Sequence, residues 1–382
     1  MIYVDNKTSK TKQTLCFITD QFITGGVEKV LFEAVRCLSK DYSITIEVMC
    51  GYATTEICDS FKDYGEIRIH HCNNKHLIAF GLPFVGGYYL RHVLGCKYDY
   101  VIPVKGHFIM AAYGSRESKT IFWNHGDKDT MYDSPNLSLL RKLNKIRLRM
   151  GYKKMDAVWV LTDSIKTRLE SAFSLKNISV LNNPVDTHDI ITKGNSYVPD
   201  FQRKPDAINI VSVSRLSEEK GQLRLLKAIH ALSCEIPCFV TLVGDGPCRA
   251  DLEAFVSAHA MQDMVYFAGT KSNPYPYMKQ ADLFVLPSYM EPFGLVILEA
   301  MLLETGIVVT ETTGASSITC NGRYGILVDN SIEGICRGIR QYNAAGKGNH
   351  ELIRQAKARA MEFDKSYFYK ELQCLLSNVN SL

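Results

Sequence analysis

Short runs of hydrophobic residues recur along this chain, and each is followed by a stretch in which apolar positions repeat with a helical period. The short runs are rich in β-branched and aromatic residues, which is typical of strands buried on both faces of a parallel sheet. The longer stretches have the period of helices that pack one face on such a sheet. The alternation therefore predicts βαβ units and doubly wound sheets, an α/β fold.

The strand pattern occurs in two blocks. In the first block the sequence predicts strands at 14–19, 43–49, 99–104, 120–123 and 156–161. In the second block it predicts strands at 208–214, 239–243, 264–268, 283–286, 307–310 and 325–328. Two separate blocks of this kind indicate two Rossmann-like domains.

A polar segment at 188–205, with one glycine and two prolines, separates the blocks and favours a linker. We therefore predict an N-terminal domain over 1–187 and a C-terminal domain over 206–361, with a final helix at about 362–382 that packs back on the first domain. The two domains are expected to face a cleft. Because ligands of open parallel sheets bind beyond the carboxyl ends of the strands, residues directly after strands are the candidates for chemistry.

Composition narrows the class of protein. The length of 382 residues suits two domains, and the net charge of +4 is too small to indicate a nucleic-acid binder. The 12 cysteines are irregularly spaced and form no CxxC pair, which favours reduced thiols over a zinc ribbon or a disulfide framework. Neither a signal peptide nor a membrane-spanning apolar run is visible, so we expect a cytoplasmic location.

Two strand-to-helix loops have the chemistry of anion binding. Gly25 and Gly26 follow the first strand and open a helix, where exposed amides attract phosphate, although glycine there is also compatible with an ordinary turn. Arg215 and Lys220 lie on the loop after the first strand of the second block. A guanidinium and an ammonium on one loop can grip a diphosphate, unless the neighbouring glutamates pair with both cations.

Two glutamates flank another strand-to-helix turn. Glu291 precedes the turn, and Glu299 is expected about two turns into the helix that follows. Their carboxylates should lie on the order of 10 Å apart. That separation suits holding the two ends of an elongated polar ligand and is wide for acid and base catalysis at one bond.

Three further motifs are ambiguous. Gly244 begins a Gly-Asp-Gly-Pro turn that is compatible with a purely structural role. His125 ends a strand, where it is either an ordinary histidine or a donor to a sugar hydroxyl or a transition-state charge. Asp127 and Asp129 form a DxD pair of the kind that holds a divalent cation on a diphosphate, but a single short match with a lysine between the carboxylates favours coincidence.

The stretch 139–155 carries seven basic residues and no acid. Its apolar residues Leu139, Leu143, Ile146 and Met150 share one helical face. One interpretation is a surface helix that packs this stripe on its own sheet. The other adds attraction to an anionic membrane or a phosphate-bearing acceptor, through the basic residues Arg141, Lys142, Lys145 and Arg149.

The ordered set of motifs in the second block resembles the retaining GT-B glycosyltransferases of family 4, the glycosyl transferases group 1. The motifs that carry the resemblance lie at 212–221, 242–247, 265–269 and 281–299. More weakly, Gly25-Gly-Val-Glu and Asn183-Pro-Val-Asp are similar to the glycine loop and interdomain junction of that family. One departure is clear, because a carboxylate that often follows a glycine pair in the family is absent from 313–317.

The resemblance implies a fold, a reaction and a set of site residues. It implies a GT-B fold and retaining, metal-independent transfer of a sugar from a nucleotide-sugar, with a UDP-sugar favoured and GDP-mannose second. The acceptor would be a glycan or lipid-linked glycan in cell-surface polysaccharide synthesis. No cofactor is implied, because the nucleotide-sugar is a co-substrate.

The same resemblance assigns roles. Arg215 and Lys220 would neutralise the leaving diphosphate with help from the amides of Gly25 and Gly26, and His125 would lie beside the sugar. Glu291 would hold the sugar and Glu299 the ribose. Further donor contacts would come from Phe293, Gly294 and Leu295 at the start of the helix and from Gly244 in the Gly-Asp-Gly-Pro turn. The base would lie near Thr270 and Lys271. Two alternatives remain open: a nucleotide-sugar epimerase on the same scaffold, and a binding module without catalysis.

Overall fold

The structure is a computed structural model that describes residues 12–22, 25–49, 51–71, 98–106, 108–109, 117–126, 139–200, 203–346 and 350–380. The chain forms two compact units. The first consists of Met1–Leu161, Ile165–Leu181 and Tyr369–Leu382, and the second of Thr162–Ser164 and Asn182–Phe368.

The first unit is built on a parallel sheet of seven strands. In chain order they are β1 (Gln13–Thr19), β2 (Tyr42–Val48), β3 (Glu66–Ile69), β4 (Tyr100–Pro103), β5 (Lys119–Asn124), β6 (Ala157–Val160) and β7 (Ile178–Val180). The order across the sheet is β3-β2-β1-β4-β5-β6-β7, so the direction of winding reverses between β1 and β4. Such a reversal is where open α/β sheets bind ligands.

Helices accompany these strands. Those of the described residues are α1 (Gly26–Leu38), α2 (Thr55–Phe61), α3 (Leu139–Lys154) and α4 (Asp163–Phe173). Aromatic residues fill the space between helices and sheet, as where Phe22 meets the ring of Phe61 edge-on at 4.8 Å. The central strand β1 is apolar and buried over its last five residues, as its sequence pattern predicts.

The second unit contains a parallel sheet of six strands. They are β8 (Ile208–Val213), β9 (Cys238–Val243), β10 (Val265–Gly269), β11 (Leu283–Leu286), β12 (Gly306–Thr310) and β13 (Ile326–Val328). Across the sheet the order is β10-β9-β8-β11-β12-β13, with the reversal between β8 and β11. The loops that leave these two strands therefore meet at the carboxyl edge of the sheet.

The helices of the described residues in the second unit are α5 (Thr187–Gly194), α6 (Gln222–Leu232), α7 (Arg249–Ala258), α8 (Tyr275–Gln280), α9 (Leu295–Leu302), α10 (Thr313–Ile318), α11 (Ile332–Ala344) and α12 (His350–Met361). The last helix, α13 (Lys365–Asn380), begins in this unit. Among the helices of the described residues, none has the length and apolar character needed to span a bilayer.

The predicted α/β class with two doubly wound parallel sheets is confirmed, and each predicted strand is present. Two strands were not predicted. β3 is a four-residue edge strand with exposed polar side chains, and β7 has only three residues. Both are too short or too polar to show the buried-strand pattern on which the prediction rests.

The contacts divide the chain at Leu181 rather than at 187, and the segment 188–205 is not all linker. It begins inside α5, whose Ile190 is buried and whose start is capped by Asp186, which accepts a hydrogen bond from the Asp189 amide at 3.1 Å. A polar helix that buries only one narrow face resembles a loop in sequence. From Tyr369 onward, the end of α13 belongs to the first unit.

Candidate functional site

The loop after β8 carries the two predicted cations and is held in a defined shape. The buried Gln222 side chain donates to Ser214 Oγ at 2.7 Å and to the Arg215 carbonyl at 2.8 Å. The Leu216 amide bonds the Asp245 carbonyl of the next loop at 3.0 Å. Arg215 itself is exposed, and its guanidinium makes no ion pair with any carboxylate of the described residues. Its charge is therefore available to a ligand.

Lys220 and Glu291, 71 residues apart in the chain, lie in direct contact. The Lys220 ammonium is 2.7 Å from Glu291 Oε2, and the side chains are only 24% and 12% exposed. The alternative that neighbouring glutamates pair with the cations does not describe Lys220. Glu219 instead accepts from Ser217 Oγ at 2.7 Å, and this bond is the main reason that the pKa of Glu219 is lowered.

Glycine is required where the Lys220 turn ends. Gly221 has a φ of +70°, and a β-carbon there would lie 2.1 Å from the Pro287 carbonyl oxygen. Pro287 directly follows β11, so the turn packs against the loop that leads to Glu291. This close approach explains how the two loops bring Lys220 to Glu291.

Glu299 lies on α9, the helix after Glu291. It is the fifth residue of α9, just over one turn from the start rather than the predicted two, and it is 7% exposed. The Tyr275 hydroxyl donates to Glu299 Oε1 at 3.4 Å. Burial, and then the charge of Glu299, raise the pKa of Tyr275, so the phenol remains a donor. Glu299 is thus a buried, oriented acceptor.

The start of α9 is fixed from two sides. Gly294 has a φ of +95° and no side chain caps the helix. Phe293 is buried and meets the Phe363 ring at 5.9 Å, while the Gly314 amide bonds the Glu291 carbonyl at 2.8 Å. The first amides of a helix have no acceptor within it, so those at Gly294 and Leu295 are available as donors.

Gly244 has a packing role that is visible in the structure, and its contact with the donor stays a prediction. It has a φ of +135°, and a β-carbon would lie 2.0 Å from the Ser214 carbonyl oxygen. Its amide donates to the Gly269 carbonyl at 2.9 Å. Gly244 therefore lets the loops after β8, β9 and β10 approach one another, while its N–H is already used within the protein.

Thr270 and Lys271 follow β10. Thr270 is exposed, but the Lys271 ammonium lies 3.1 Å from Asp200 Oδ2 and 5.3 Å from the centre of the Tyr277 ring. Hydrogen bonds with Tyr277 and Asp200 raise the pKa of Lys271. Sequence reasoning missed Asp200, because it falls in the segment assigned to the linker. A spacing pattern gives no signal for a contact of this kind.

Gly25 and Gly26 begin α1 in the first unit. Gly25 has a φ of −163°, an extended conformation that any residue adopts, so backbone angles do not explain glycine at this position. No side chain caps the helix there. In its first turn Glu28 is 8% exposed, and burial raises the pKa of its carboxyl group.

His125 directly follows β5 in the same unit. Its ring centre lies 4.5 Å from that of Trp123, and both ring nitrogens are buried without a hydrogen-bond partner in the described part of the chain. Burial, and then the charge of Lys105, lower the pKa of His125 to about 3. The ring is therefore neutral near pH 7. Buried nitrogens without partners are rare in proteins and favour a site that receives a polar ligand or water.

Helix α3 presents its apolar stripe to solvent. Leu143, Ile146 and Met150 are 55%, 57% and 38% exposed, whereas Leu148 and Tyr152 on the other side are buried. The interpretation that the stripe packs on its own sheet is therefore wrong for these three residues. Of the predicted basic partners, Lys142 and Arg149 are exposed and Lys145 is half-buried. The side chains of Leu139 and Arg141 lie outside the described residues.

The DxD pair, Asp127 and Asp129, also lies outside the described residues. Within the described ranges, no group of three or more His, Cys, Asp and Glu side chains is placed to hold a metal ion.

A cavity of about 870 Å³ lies at the opposite edge of the second sheet, at the amino ends of β11 and β12. Its lining includes Asp282, Glu304 and Tyr342. Charged groups there pair with each other, as Arg203 does with Asp282. None of the candidate residues lines this cavity, so it is separate from the site at the carboxyl edge.

Known proteins share both the motifs and the fold. Residues 197–359 match the model of the glycosyl transferases group 1. The chain is 26% identical to an uncharacterized glycosyltransferase of Methanocaldococcus jannaschii over 56% of its length, and 27% identical to the lipopolysaccharide core biosynthesis glycosyltransferase LpsE of Rhizobium meliloti over 58%. These matches span 56% and 66% of the two relatives.

Among solved structures, Anabaena HepE in complex with UDP superimposes with a TM-score of 0.74 at 17% identity. The match covers 96% of this chain and 100% of HepE, which extends the likeness in fold over both units. The predicted GT-B fold is thereby confirmed. The resemblance to the glycosyl transferases group 1 that the ordered motifs indicate is confirmed as well, since residues 197–359 match the model of that family.

Proposed function

We propose that this protein is a retaining glycosyltransferase of family 4 that transfers a sugar from a nucleoside diphosphate sugar to a glycan or lipid-linked glycan. One observation carries the proposal. Within the matched region, Lys220 and Glu291 meet at 2.7 Å at the carboxyl edge of the sheet. A cation for a diphosphate and a carboxylate for sugar hydroxyls are thus adjacent, as a nucleotide-sugar requires.

In the proposed mechanism the diphosphate competes with Glu291 for Lys220. The Lys220 ammonium and the Arg215 guanidinium bind the diphosphate and stabilise the charge that develops as it leaves. Glu291, released from Lys220, accepts hydrogen bonds from the hydroxyls of the transferred sugar, and amides at the start of α9 assist. Glu299 accepts from the ribose hydroxyls. Catalysis then consists mainly of positioning and charge stabilisation.

His125, Gly25 and Gly26 are proposed participants from the first unit. The neutral His125 ring offers one donor and one acceptor, which suits a sugar hydroxyl beside the reacting carbon. The amides at the start of α1 suit the diphosphate. The acceptor hydroxyl attacks from the face that the diphosphate leaves, so the anomeric configuration is retained.

The donor class follows from relatives. HepE has been solved with UDP and with UDP-glucose, which supports a UDP-sugar as the first candidate, with GDP-mannose second. The name of LpsE refers to lipopolysaccharide core biosynthesis, and another relative, TuaC of Bacillus subtilis, is a putative teichuronic acid biosynthesis glycosyltransferase by name. These names support an acceptor in cell-surface polysaccharide synthesis. The reaction is proposed to need no metal.

We also propose that α3 docks this enzyme on an anionic membrane. Leu143 and Ile146 are more than half exposed on the face where Lys142, Arg149 and Lys153 also reach solvent. Apolar side chains that enter the headgroup region, flanked by cations that attract anionic lipid, are the features of an interfacial helix. A lipid-linked acceptor would be presented at that surface.

Two measurements test the reaction. A thermal-shift panel of UDP- and GDP-sugars should identify one donor that raises the unfolding temperature, because a ligand of the native state stabilises it by mass action. Proton NMR of the sugar released from that donor should then show the anomeric configuration of the donor. If no nucleotide-sugar shifts the unfolding temperature, the proposed reaction fails; if the opposite anomer appears first, retention fails.

A further inference from the structure

Arg224, on the first turn of α6, is a buried arginine whose hydrogen bonds all go to neutral oxygens. It is 3% exposed. Its Nε donates to the Pro287 carbonyl at 2.6 Å, one terminal nitrogen to Thr310 Oγ1 at 3.3 Å, and the other to Asn330 Oδ1. One side chain therefore ties together the chain segments that leave β11, β12 and β13.

The charge of Arg224 is not balanced by any carboxylate of the described residues. Burial lowers the pKa of Arg224, and the Tyr289 ring, 3.8 Å from its guanidinium carbon, opposes that effect. A guanidinium still keeps its proton at neutral pH. Arginines this deeply buried are ordinarily paired with an acid.

The position of Arg224 at the start of α6 makes its unpaired positive charge still less favourable. Arg224 is the third residue of α6, where the amides of the first turn already make the helix end positive. Cations are disfavoured at that end, and acids are preferred. Two acids of the adjoining loops have other partners, since Glu219 accepts a hydrogen bond from Ser217 and Glu291 pairs with Lys220.

Arg224 lies directly beneath the turn that carries Lys220. A β-carbon on Gly221 would lie 2.8 Å from Arg224 Nε and 2.1 Å from the Pro287 carbonyl oxygen that Arg224 binds. The Lys220 turn and the guanidinium thus pack against one carbonyl group. Lys220 is already paired with Glu291, whereas the guanidinium groups of Arg215 and Arg224 form no ion pair with a carboxylate of the described residues.

We propose that Arg224 is a third cation of the diphosphate site, a positioning residue that acts from beneath the Lys220 turn without touching the ligand. Its charge is balanced when a diphosphate binds, through surroundings of low polarity that screen the attraction weakly. Its hydrogen bonds fix the carbonyl on which the Lys220 turn rests. The inference rests on the proposed function for the identity of the anion, but not for the presence of an anion site.

The test separates the effect of the positive charge of Arg224 from the effect of its hydrogen bonds. Isothermal titration would compare wild type with Arg224→Lys and Arg224→Met, using UDP, GDP, the matching nucleosides and inorganic pyrophosphate. We expect Arg224→Met to weaken binding of the preferred diphosphate by about tenfold or more, with nucleoside affinity changed by less than about threefold. Arg224→Lys should stay within about threefold of wild type for both. Arg340→Met, which removes a half-buried cation paired with Glu235 and Glu333 far along the chain, should change neither.

Three results would overturn the inference. Equal losses in the lysine and methionine variants would assign the effect to the hydrogen bonds alone. Parallel losses for nucleoside and diphosphate would indicate a distorted site, and an unchanged methionine variant would exclude any role. If the methionine variant does not fold, Arg224→Gln replaces it, and its diphosphate affinity should depend less steeply on salt than that of wild type; an equal salt dependence counts against the inference.

Titration with inorganic pyrophosphate tests the anion site independently of the proposed sugar transfer. Wild type that binds pyrophosphate with the predicted dependence on Arg224, but binds no nucleotide, would refute the nucleotide-sugar function and leave the anion site standing. If nucleotide binding does not depend on Arg224, the proposed role of Arg224 is refuted and the nucleotide-sugar function stands.

Discussion

Lys220 and Glu291 were assigned to different parts of the donor by resemblance, yet they hold each other in the structure. The pair keeps both groups in place and partly buried, so neither has to be ordered when a donor binds. It also makes diphosphate binding an exchange of one anion for another around the same ammonium. A half-buried ion pair contributes little net stability, so stability alone does not explain this contact.

Glu291 and Glu299 are both proposed to hold hydroxyls, but substitution should affect them unequally. Glu299→Gln retains an amide oxygen that accepts from ribose and from Tyr275, so turnover of the donor should fall by less than about tenfold. Glu291→Ala removes the sugar contact entirely and should cost about a hundredfold or more. Release of nucleoside diphosphate measures both. Equal losses would contradict the separate roles.

His125 predicts a pH dependence of stability. Its pKa of about 3 in the folded state lies below the ordinary value near 6.5. Between these values the unfolded chain binds a proton that the folded chain does not, so stability should fall as pH drops through 6.5, by up to about 1.4 kcal/mol per pH unit. Urea unfolding from pH 7 to pH 4.5 measures this loss.

His125→Asn supplies the comparison, because asparagine is polar but does not titrate. The variant should lose less stability than wild type over the same range of pH. Identical pH dependence in the two proteins would show that the His125 ring takes up a proton in the folded state as readily as in the unfolded one.

Glycine is required in the Lys220 turn both by its positive φ and by the closeness of the Pro287 carbonyl. A second glycine with nearly the same φ but no close neighbour, Gly346, separates the two effects. Gly221 and Gly346 have φ values of +70° and +72°, but a β-carbon would strike the Pro287 carbonyl only at Gly221. Gly346→Ala should cost about 1 kcal/mol for backbone strain alone. Gly221→Ala should cost at least about 2 kcal/mol more, since backbone must move. Denaturant unfolding measures both, and similar costs would contradict the close packing of the Lys220 turn.

The apolar face of α3 is exposed, which excludes the interpretation that this face packs on its own sheet. Reversing the charge of its exposed Lys142, Arg149 and Lys153 should release the protein from liposomes that contain anionic lipid, with each lost cation contributing about 1 kcal/mol. Co-sedimentation with such liposomes measures this. Wild type that never binds them would contradict the docking proposal.

A control with the same change in charge comes from exposed lysines elsewhere: Lys62, Lys176 and Lys227. Reversing these three should leave liposome binding nearly unchanged if α3 is the docking surface. Comparable release by the control variant would show that overall charge, and not this helix, governs the attraction.

Sequence periodicity predicted the buried strands because each, like β1 and β11, is a nearly continuous apolar run. It missed β3 and β7, whose short or polar sequences carry no such run. It also took α5 for linker, since a short polar helix shows little apolar face. The exposed stripe of α3 shows the converse limit: periodicity predicts that a helix has an apolar face, but not what that face meets.

The two units repeat one architectural rule, with a reversal of winding beside the first strand of each sheet. Gly25, His125, Arg215 and Glu291 follow strands, as the sequence predicted, and their roles in a site stay predictions. The sequence did not predict contacts between distant segments. Neither the Lys220–Glu291 pair nor the Asp200–Lys271 pair nor the neutral surroundings of Arg224 has any signature in spacing, because each depends on how separate loops pack.

The proposed chemistry depends on the exchange at Lys220. The control for any test of it is Lys227→Met, an exposed lysine on the helix that follows Lys220. This change should alter neither stability nor nucleotide binding, so it separates loss of a particular ammonium from loss of a positive charge in general.

Isothermal titration of UDP and GDP into wild type, Lys220→Met and Glu291→Gln tests the account most directly. Lys220→Met should weaken binding of the preferred diphosphate by about tenfold or more. Glu291→Gln should bind it as tightly as wild type or more tightly, because the competing carboxylate is gone. Wild-type affinity in Lys220→Met, or equal weakening in both variants, would contradict the proposed exchange.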